Sequence, residues 1–107
     1  MNLFLDDIRE VEWIYNGEMR DHLKLPWVTV RTYEEFVKWI EENGMPNFIS
    51  FDHDLGTEKT GYDCAFWLVE YCMDNNVPLP NYNVHSANPV GRQNIFSLFL
   101  SFKNRKS

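Results

Sequence analysis

LFLDD at residues 3–7, ISFDHDLG at 49–56 and YNVHSANPVGR at 82–92 decide the fold of this chain. Each is a short apolar run that stops on polar, chemically capable residues. In an open parallel α/β sheet, ligands bind in the crevice outside the carboxyl ends of the strands. Strands that end on Asp, Asp, His and Ser therefore set reactive groups along one edge. The pattern predicts a single site holding Asp6, Asp7, Asp52, Asp54, His85 and Ser86, with phosphate or metal chemistry.

Working outward from these runs, the chain alternates strand and helix. Residues 2–6 and 27–31 read as strands, the second rich in β-branched residues. Thr32 precedes YEEFVKWIEEN with Glu35 three residues on, the pattern of a capping box. Tyr33, Phe36, Val37 and Ile40 make the apolar stripe of that helix. Asn43-Gly44 stops it, and Pro46 cannot resume it. Residues 48–52 are a third strand, GTEKTG at 56–61 a polar loop, and 62–74 a helix with Ala65, Leu68, Val69 and Cys72 on one face. A fourth strand covers 82–86. Asn88-Pro89 reads as an N-cap followed by proline at the first helical position. It opens a last helix to about residue 103, with a final strand there as the alternative. Residues 8–26 have no clean periodicity and would hold either a hairpin around Asn16-Gly17 or a turn of helix at 18–24.

Such alternation implies a parallel sheet with right-handed crossovers, most simply four strands in order 2-1-3-4. The helices at 33–42 and 62–74 then share one face. Parallel strands need cover on both faces. Residues 11–25 are expected to supply part of the second cover. The final helix would fold across the rest or pair with a second subunit as a homodimer.

With 107 residues, the chain is long enough for one domain and one core. Its net charge of −6 and pI of about 4.9 argue against non-specific nucleic-acid binding, which needs a basic face. No run approaches the ~18 apolar residues of a membrane span, and LFL is too short for a signal peptide. Cys64 and Cys72 lie eight apart in a helical pattern, too distant for a disulfide. They are expected to be buried free thiols in a reducing compartment.

The strand-end acids carry the chemistry. Carboxylates packed together raise one another's pKa, and a hard divalent cation relieves them. Mg²⁺ takes one or two carboxylates with waters and phosphate oxygens. Asp6, Asp7, Asp52 and Asp54 are the candidate ligands, with capping or solvated acids as the plainer alternative. His53, between two aspartates on a strand, should point away and be structural. His85 and Ser86 stand just before a helix N-terminus, where free N–H groups favour phosphate. Asn88 caps that helix, Gly91 would let backbone approach, and Arg92 would make a bidentate phosphate contact. His85 is a candidate proton carrier. His22 has no partner visible in the sequence and reads as a surface residue.

LFLDDIR, then FDHDLG, TGYD and SA at the fourth strand end resemble the response-regulator receiver domain. The resemblance implies an acidic pair and an aspartate that bind Mg²⁺, here Asp6, Asp7 and Asp52. It also implies a phosphoryl contact at Ser86. LFLDDIR, VRTYEEF, ISFDHDLG, TGYD and VHSANPVGR together are more closely similar to an offshoot, the cyclic-phosphate processing receiver domain of bacteria and phages. That resemblance implies a receiver-like (flavodoxin-like) α/β domain over residues 1–107, truncated before the fifth strand and its lysine. Arg9, Arg31 or Arg92 would supply the missing charge.

The expected function is a metal-dependent phosphoesterase acting on a cyclic phosphate or small phosphorylated nucleotide. Asp52, His85 and Ser86 would be catalytic, Arg9, Arg31, Asn88, Gly91 and Arg92 would bind phosphate, and Mg²⁺ or Mn²⁺ would be the cofactor. Nucleic acid would enter only as a terminal-phosphate substrate. The cytoplasm is the expected compartment, that of the host if the chain is phage-encoded. A non-catalytic module binding a phosphorylated ligand and a protein-interaction domain are the alternatives.

Overall fold

The computed structural model describes residues 1–14 and 26–106. The hairpin or helical turn expected after Ile14, and His22, lie outside the described residues. Four strands and four helices alternate among the described residues: β1 (Asn2–Leu5), α1 (Val11–Ile14), β2 (Trp27–Val30), α2 (Tyr33–Asn43), β3 (Phe48–Phe51), α3 (Gly61–Asn75), β4 (Asn81–Val84) and α4 (Pro89–Lys106). All strand pairs are parallel, and their order is β2-β1-β3-β4, as the alternation predicts.

The helix caps show how the sequence sets the element boundaries. Thr32 Oγ1 accepts from the Glu35 N–H at 3.1 Å, so the N-cap of α2 stands. The Glu35 carboxylate does not return to Thr32, however. It accepts from the Arg31 N–H at 2.9 Å, and the expected box stays open. The closed box is at α3, where Thr60 N–H donates to Asp63 Oδ2 at 2.7 Å and Asp63 N–H donates to Thr60 Oγ1 at 3.4 Å. An aspartate is shorter than the glutamate of the usual pattern, which hides this box from a motif search. At α4, Asn88 Oδ1 accepts from the Gly91 N–H at 3.0 Å, as an N-cap should.

Strand alternation sends Leu3, Leu5, Val30, Ile49, Phe51 and Val84 to one face. There they form the main core with Phe36 and Ile40 of α2 and Cys64, Leu68 and Cys72 of α3. Both cysteines are buried and neither is in a disulfide, as their spacing implies. Ile95, Phe99 and Phe102 of α4 join this same cluster. The final helix therefore covers the face already covered by α2 and α3, which overturns the expectation that it folds across the opposite one. The reason lies in β4. Tyr82 and Val84 point to the main core, and the Tyr82 ring packs tilted against Phe99 with centroids 4.5 Å apart. On the other side β4 offers Asn81 and Asn83, no match for an apolar stripe.

The second face carries a smaller cluster of Phe4 and Val11 with Ile14, Trp27 and Phe48 packed around it. The single turn of α1 covers that part of the sheet, as expected of the segment 11–25, whose remaining residues lie outside the described ones. Among the described residues no helix is long and apolar enough to cross a membrane.

Candidate functional site

The strands stop in register. Leu5 pairs with both Val30 and Phe51, and Phe51 pairs with Val84. The next residue of three strands extends the ladder by one hydrogen bond. Asp6 N–H donates to Val30 O at 3.1 Å, Asp52 N–H to Leu5 O at 2.9 Å, and His85 N–H to Phe51 O at 2.9 Å. Asp6, Asp52 and His85 thus form one row across the carboxyl edge, all on the second face. Their ligand-capable atoms lie within 4.8 Å of one another.

Asp6 is buried and its carboxylate is fully engaged. Oδ1 accepts from the N–H groups of Ile8 and Arg9 at 3.0 and 2.7 Å. Oδ2 accepts from Arg9 Nε at 2.8 Å and His85 Nε2 at 2.9 Å. Burial alone would raise the Asp6 pKa, but these backbone donors, His85 and the Arg9 charge outweigh it and hold the carboxyl below its ordinary range. A carboxylate offers about four lone-pair sites, and all are occupied here.

His85 lies over β3. Its ring stacks on Phe4 with centroids 4.6 Å apart and planes 8° from parallel. Phe4, Ser50 and Asn83 share a register row, and the small Ser50 leaves room for the imidazole. Ser50 Oγ lies 2.6 Å from His85 Nδ1. An ionised Asp6 only accepts, so Nε2 carries the hydrogen and Nδ1 accepts from the serine hydroxyl. Burial lowers the His85 pKa against the pull of Asp6, which keeps the ring neutral. Its side chain is only 2% exposed.

Beside this row opens a cleft of about 270 Å³, lined by Asp7, Ile8, Arg9, Asp52, Asp54, Ser86 and Ala87. Arg9 spans it, donating through Nε to Asp6 and reaching Asp52 Oδ1 with Nη2 at 3.2 Å. Asp52 Oδ1 also accepts from the His53 N–H at 2.9 Å. Burial and the neighbouring Asp6 charge raise the Asp52 pKa despite Arg9. Asp7, one residue past the buried Asp6, faces the cleft, with Oδ2 close to Gly56, whose φ is +68°. Ser86 Oγ accepts from the Asn88 N–H at 3.1 Å, and Asn88 Nδ2 reaches Asp54 Oδ2 at 3.5 Å.

The remaining predicted residues stand elsewhere. Arg31 Nη1 donates to the carbonyls of Arg9 at 2.7 Å and Asp6 at 3.3 Å, and Nη2 pairs with Glu10 at 2.8 Å. It staples the loop that carries Asp6 and Asp7. The Arg92 guanidinium lies over the Phe96 ring at 5.4 Å and is not part of the cleft lining. The space that Gly91 leaves is filled by His53, whose ring carbon Cγ would be 2.3 Å from an added Cβ. His53 Nδ1 in turn meets Asp54 Oδ1 at 3.0 Å, a structural role as its position suggests. Ser50 is the residue that sequence reasoning missed. Its signal was a lone hydroxyl in the strand FISF, on the face opposite Ile49 and Phe51.

An open parallel sheet in the order 2-1-3-4, with acids at the ends of its first and third strands and His-Ser at the end of its fourth, defines a receiver-like α/β domain. The profile of the cyclic-phosphate processing receiver domain matches residues 1–101, and the chain belongs to that family. No curated protein and no solved structure matches it.

Proposed function

We propose that this chain takes a cyclic phosphate, or the terminal phosphate of a small nucleotide, in the strand-end cleft and hydrolyses it as a metal-dependent phosphoesterase. The observation that carries this reading is the pairing, in one cleft, of Arg9 with the buried Asp52 carboxyl. A guanidinium suits phosphate oxygens, and a carboxyl with a raised pKa suits proton transfer. In hydrolysis, water attacks phosphorus, one ring P–O bond breaks, and the leaving oxygen gains a proton. Asp52 would hold and move that proton, and Arg9 would neutralise charge building on the phosphoryl oxygens. The Ser86 hydroxyl, on the cleft wall, would orient the ligand.

The acidic lining of the cleft calls for a divalent cation, although among the described residues the three ligand groups that converge within 4.8 Å are those of Asp6, Asp52 and His85. Asp7, Asp52 and Asp54 line the cleft with Arg9 as the one cationic side chain among the described residues, an excess of carboxylate that would repel a phosphate. With Asp52 left to carry the proton, Asp7 and Asp54 would hold Mg²⁺ or Mn²⁺ together with waters and ligand oxygens. Asp6 would not, because its lone pairs are occupied by four donors. Bound there, the ion would supply Lewis-acid polarisation of the phosphoryl group and a more acidic water.

A second reading is favoured by His85. Both its ring nitrogens are engaged and its side chain is buried, so the expected proton carrier does not stand in the cleft. A module that binds a phosphorylated ligand without turnover has no need of one. Incubation with 2′,3′- and 3′,5′-cyclic nucleotides, with and without Mg²⁺ or Mn²⁺, followed by phosphorus NMR, separates the two. Metal-dependent conversion to a monoester is expected. Shifted resonances without conversion would favour the binding module, and unchanged spectra would overturn both.

A further inference from the structure

Behind the cleft, residues that the phosphoesterase reading does not use form a connected chain leading to Arg9. Ser50 Oγ, His85, Asp6 and Arg9 follow one another at 2.6, 2.9 and 2.8 Å. Ser50 and Asp6 are fully buried, and the His85 side chain is 2% exposed. The first exposed group along the chain is Arg9, whose side chain is 27% exposed and lines the cleft.

Ser, His and Asp in hydrogen-bond contact suggest a nucleophilic triad, but the geometry argues against one. The serine is sealed inside the sheet face, and its hydroxyl donates to the ring. What the chain does control is direction. Nε2 of His85 and Nε of Arg9 meet at the same Asp6 oxygen. The ring is fixed by the Phe4 stack and by Ser50, so the Asp6 carboxylate has one orientation, and through it so has the guanidinium. Arginine carries five N–H donors in a rigid fork. Nε is held by Asp6 and one Nη2 hydrogen by Asp52. Among the described residues, no acceptor stands against Nη1 or the second Nη2 hydrogen. A fork already held by its back edge loses little freedom when its front edge meets an oxyanion.

We propose, building on the phosphate cleft above, that the buried Ser50–His85–Asp6 chain is a positioning device for Arg9, aiming its Nη edge at the phosphoryl oxygens of the ligand. His85 and Asp6 are then positioning residues that act through Arg9, and of the residues in this hydrogen-bonded chain Arg9 alone touches the ligand.

A double-mutant cycle with inorganic phosphate as the probe, titrated by phosphorus NMR with and without Mg²⁺, tests this. Arg9→Gln should weaken phosphate binding roughly 10- to 100-fold, the range of a charge-assisted hydrogen bond. His85→Leu should weaken it about 10-fold in the wild-type background and not at all in the Arg9→Gln background. Ser50→Ala, a milder change that keeps the ring, should show a smaller loss that vanishes in the same way, and it serves if His85→Leu does not fold. The Arg9 Nε–H resonance should be protected from exchange in the wild type and lose that protection in both variants. Losses that add across the cycle would overturn the coupling and leave the phosphate cleft standing. No phosphate binding by the wild-type protein in either buffer would overturn the cleft and the device together.

Discussion

Gly61→Ala should damage both the fold and the site. The backbone of Gly61 has ordinary dihedrals, so the glycine is needed for space. An added Cβ would sit 1.7 Å from the Asp52 carbonyl oxygen, 2.8 Å from its carbon and 2.9 Å from His53 Cα. These are backbone atoms of the strand end that holds the cleft, and they cannot rotate away. Overpacking costs about 1–3 kcal/mol, with a backbone obstacle at the upper end. Moving α3 away also stretches the 2.7 Å bond from Gly61 N–H to His53 O, worth about 1 kcal/mol. Removing a glycine from the unfolded chain returns about 0.4–1 kcal/mol. The net loss is about 3 kcal/mol, a fall of roughly 2 M in the urea midpoint for an m near 1.5 kcal/mol/M. Gly44→Ala is the control. Gly44 has φ +84° and ψ −172°, a region essentially confined to glycine, and nothing within 4 Å of an added Cβ, so it should cost only backbone strain of about 1–3 kcal/mol and leave phosphate binding unchanged. A Gly61→Ala variant with an unchanged urea midpoint, or with unchanged phosphate binding, would refute the close-packing argument.

Two further outcomes follow from buried titratable groups. Cys64 and Cys72 are fully buried, and desolvation with the Asp63 charge pushes the Cys64 thiol up; Ellman's reagent should therefore find no reactive thiol in the native protein and two in guanidinium. Burial lowers the His85 pKa from 6.5, so below that pH the unfolded chain binds a proton that the folded one resists, and stability should fall as pH drops from 6.5 toward the folded value. Urea midpoints measured from pH 7.5 to 5 should show this decline in the wild type and lose it in His85→Leu; an unchanged slope would remove His85 as its source.

The fold was legible because hydrophobic pattern and punctuation agreed at almost every element. Asn43-Gly44, Asn88-Pro89 and the apolar stripes each state a boundary locally. The final helix was misplaced for lack of a non-local fact. Its stripe at Ile95, Phe99 and Phe102 is visible in the sequence, but which sheet face receives it depends on Tyr82 and Val84 pointing one way and Asn81 and Asn83 the other. The site divides similarly. Strand-end placement brings Asp6, Asp7, Asp52, Asp54 and Ser86 to one edge. It could not say that Asp6 turns inward while Asp7 faces the cleft, because that follows from the turn in which Asp6 accepts from Ile8 and Arg9. Nor could it assign the arginines. Arg9, Arg31 and Arg92 look alike in sequence, yet one spans two carboxylates, one staples a loop and one lies on a phenylalanine.

The two sheet faces divide the work of this small domain. A carboxylate as deeply buried as Asp6 is tolerated only when its hydrogen bonds are complete, and two of its four donors come from its own loop. That loop is in turn held by Arg31, whose Nη1 binds the carbonyls of Asp6 and Arg9. The third donor is the Arg9 side chain, and the fourth is His85, which reaches across the end of β3 from the outer strand β4. The acid thus ties the ends of β1, β2 and β4 together around β3, which contributes Asp52 and the small Ser50. On the other face α2, α3 and α4 pack a continuous apolar core against the same strands. The core fixes the register, and the register fixes which side chains form the row. In such an arrangement the first residue past each strand is the most sharply placed position in the molecule, and that is where Asp6, Asp52 and His85 stand.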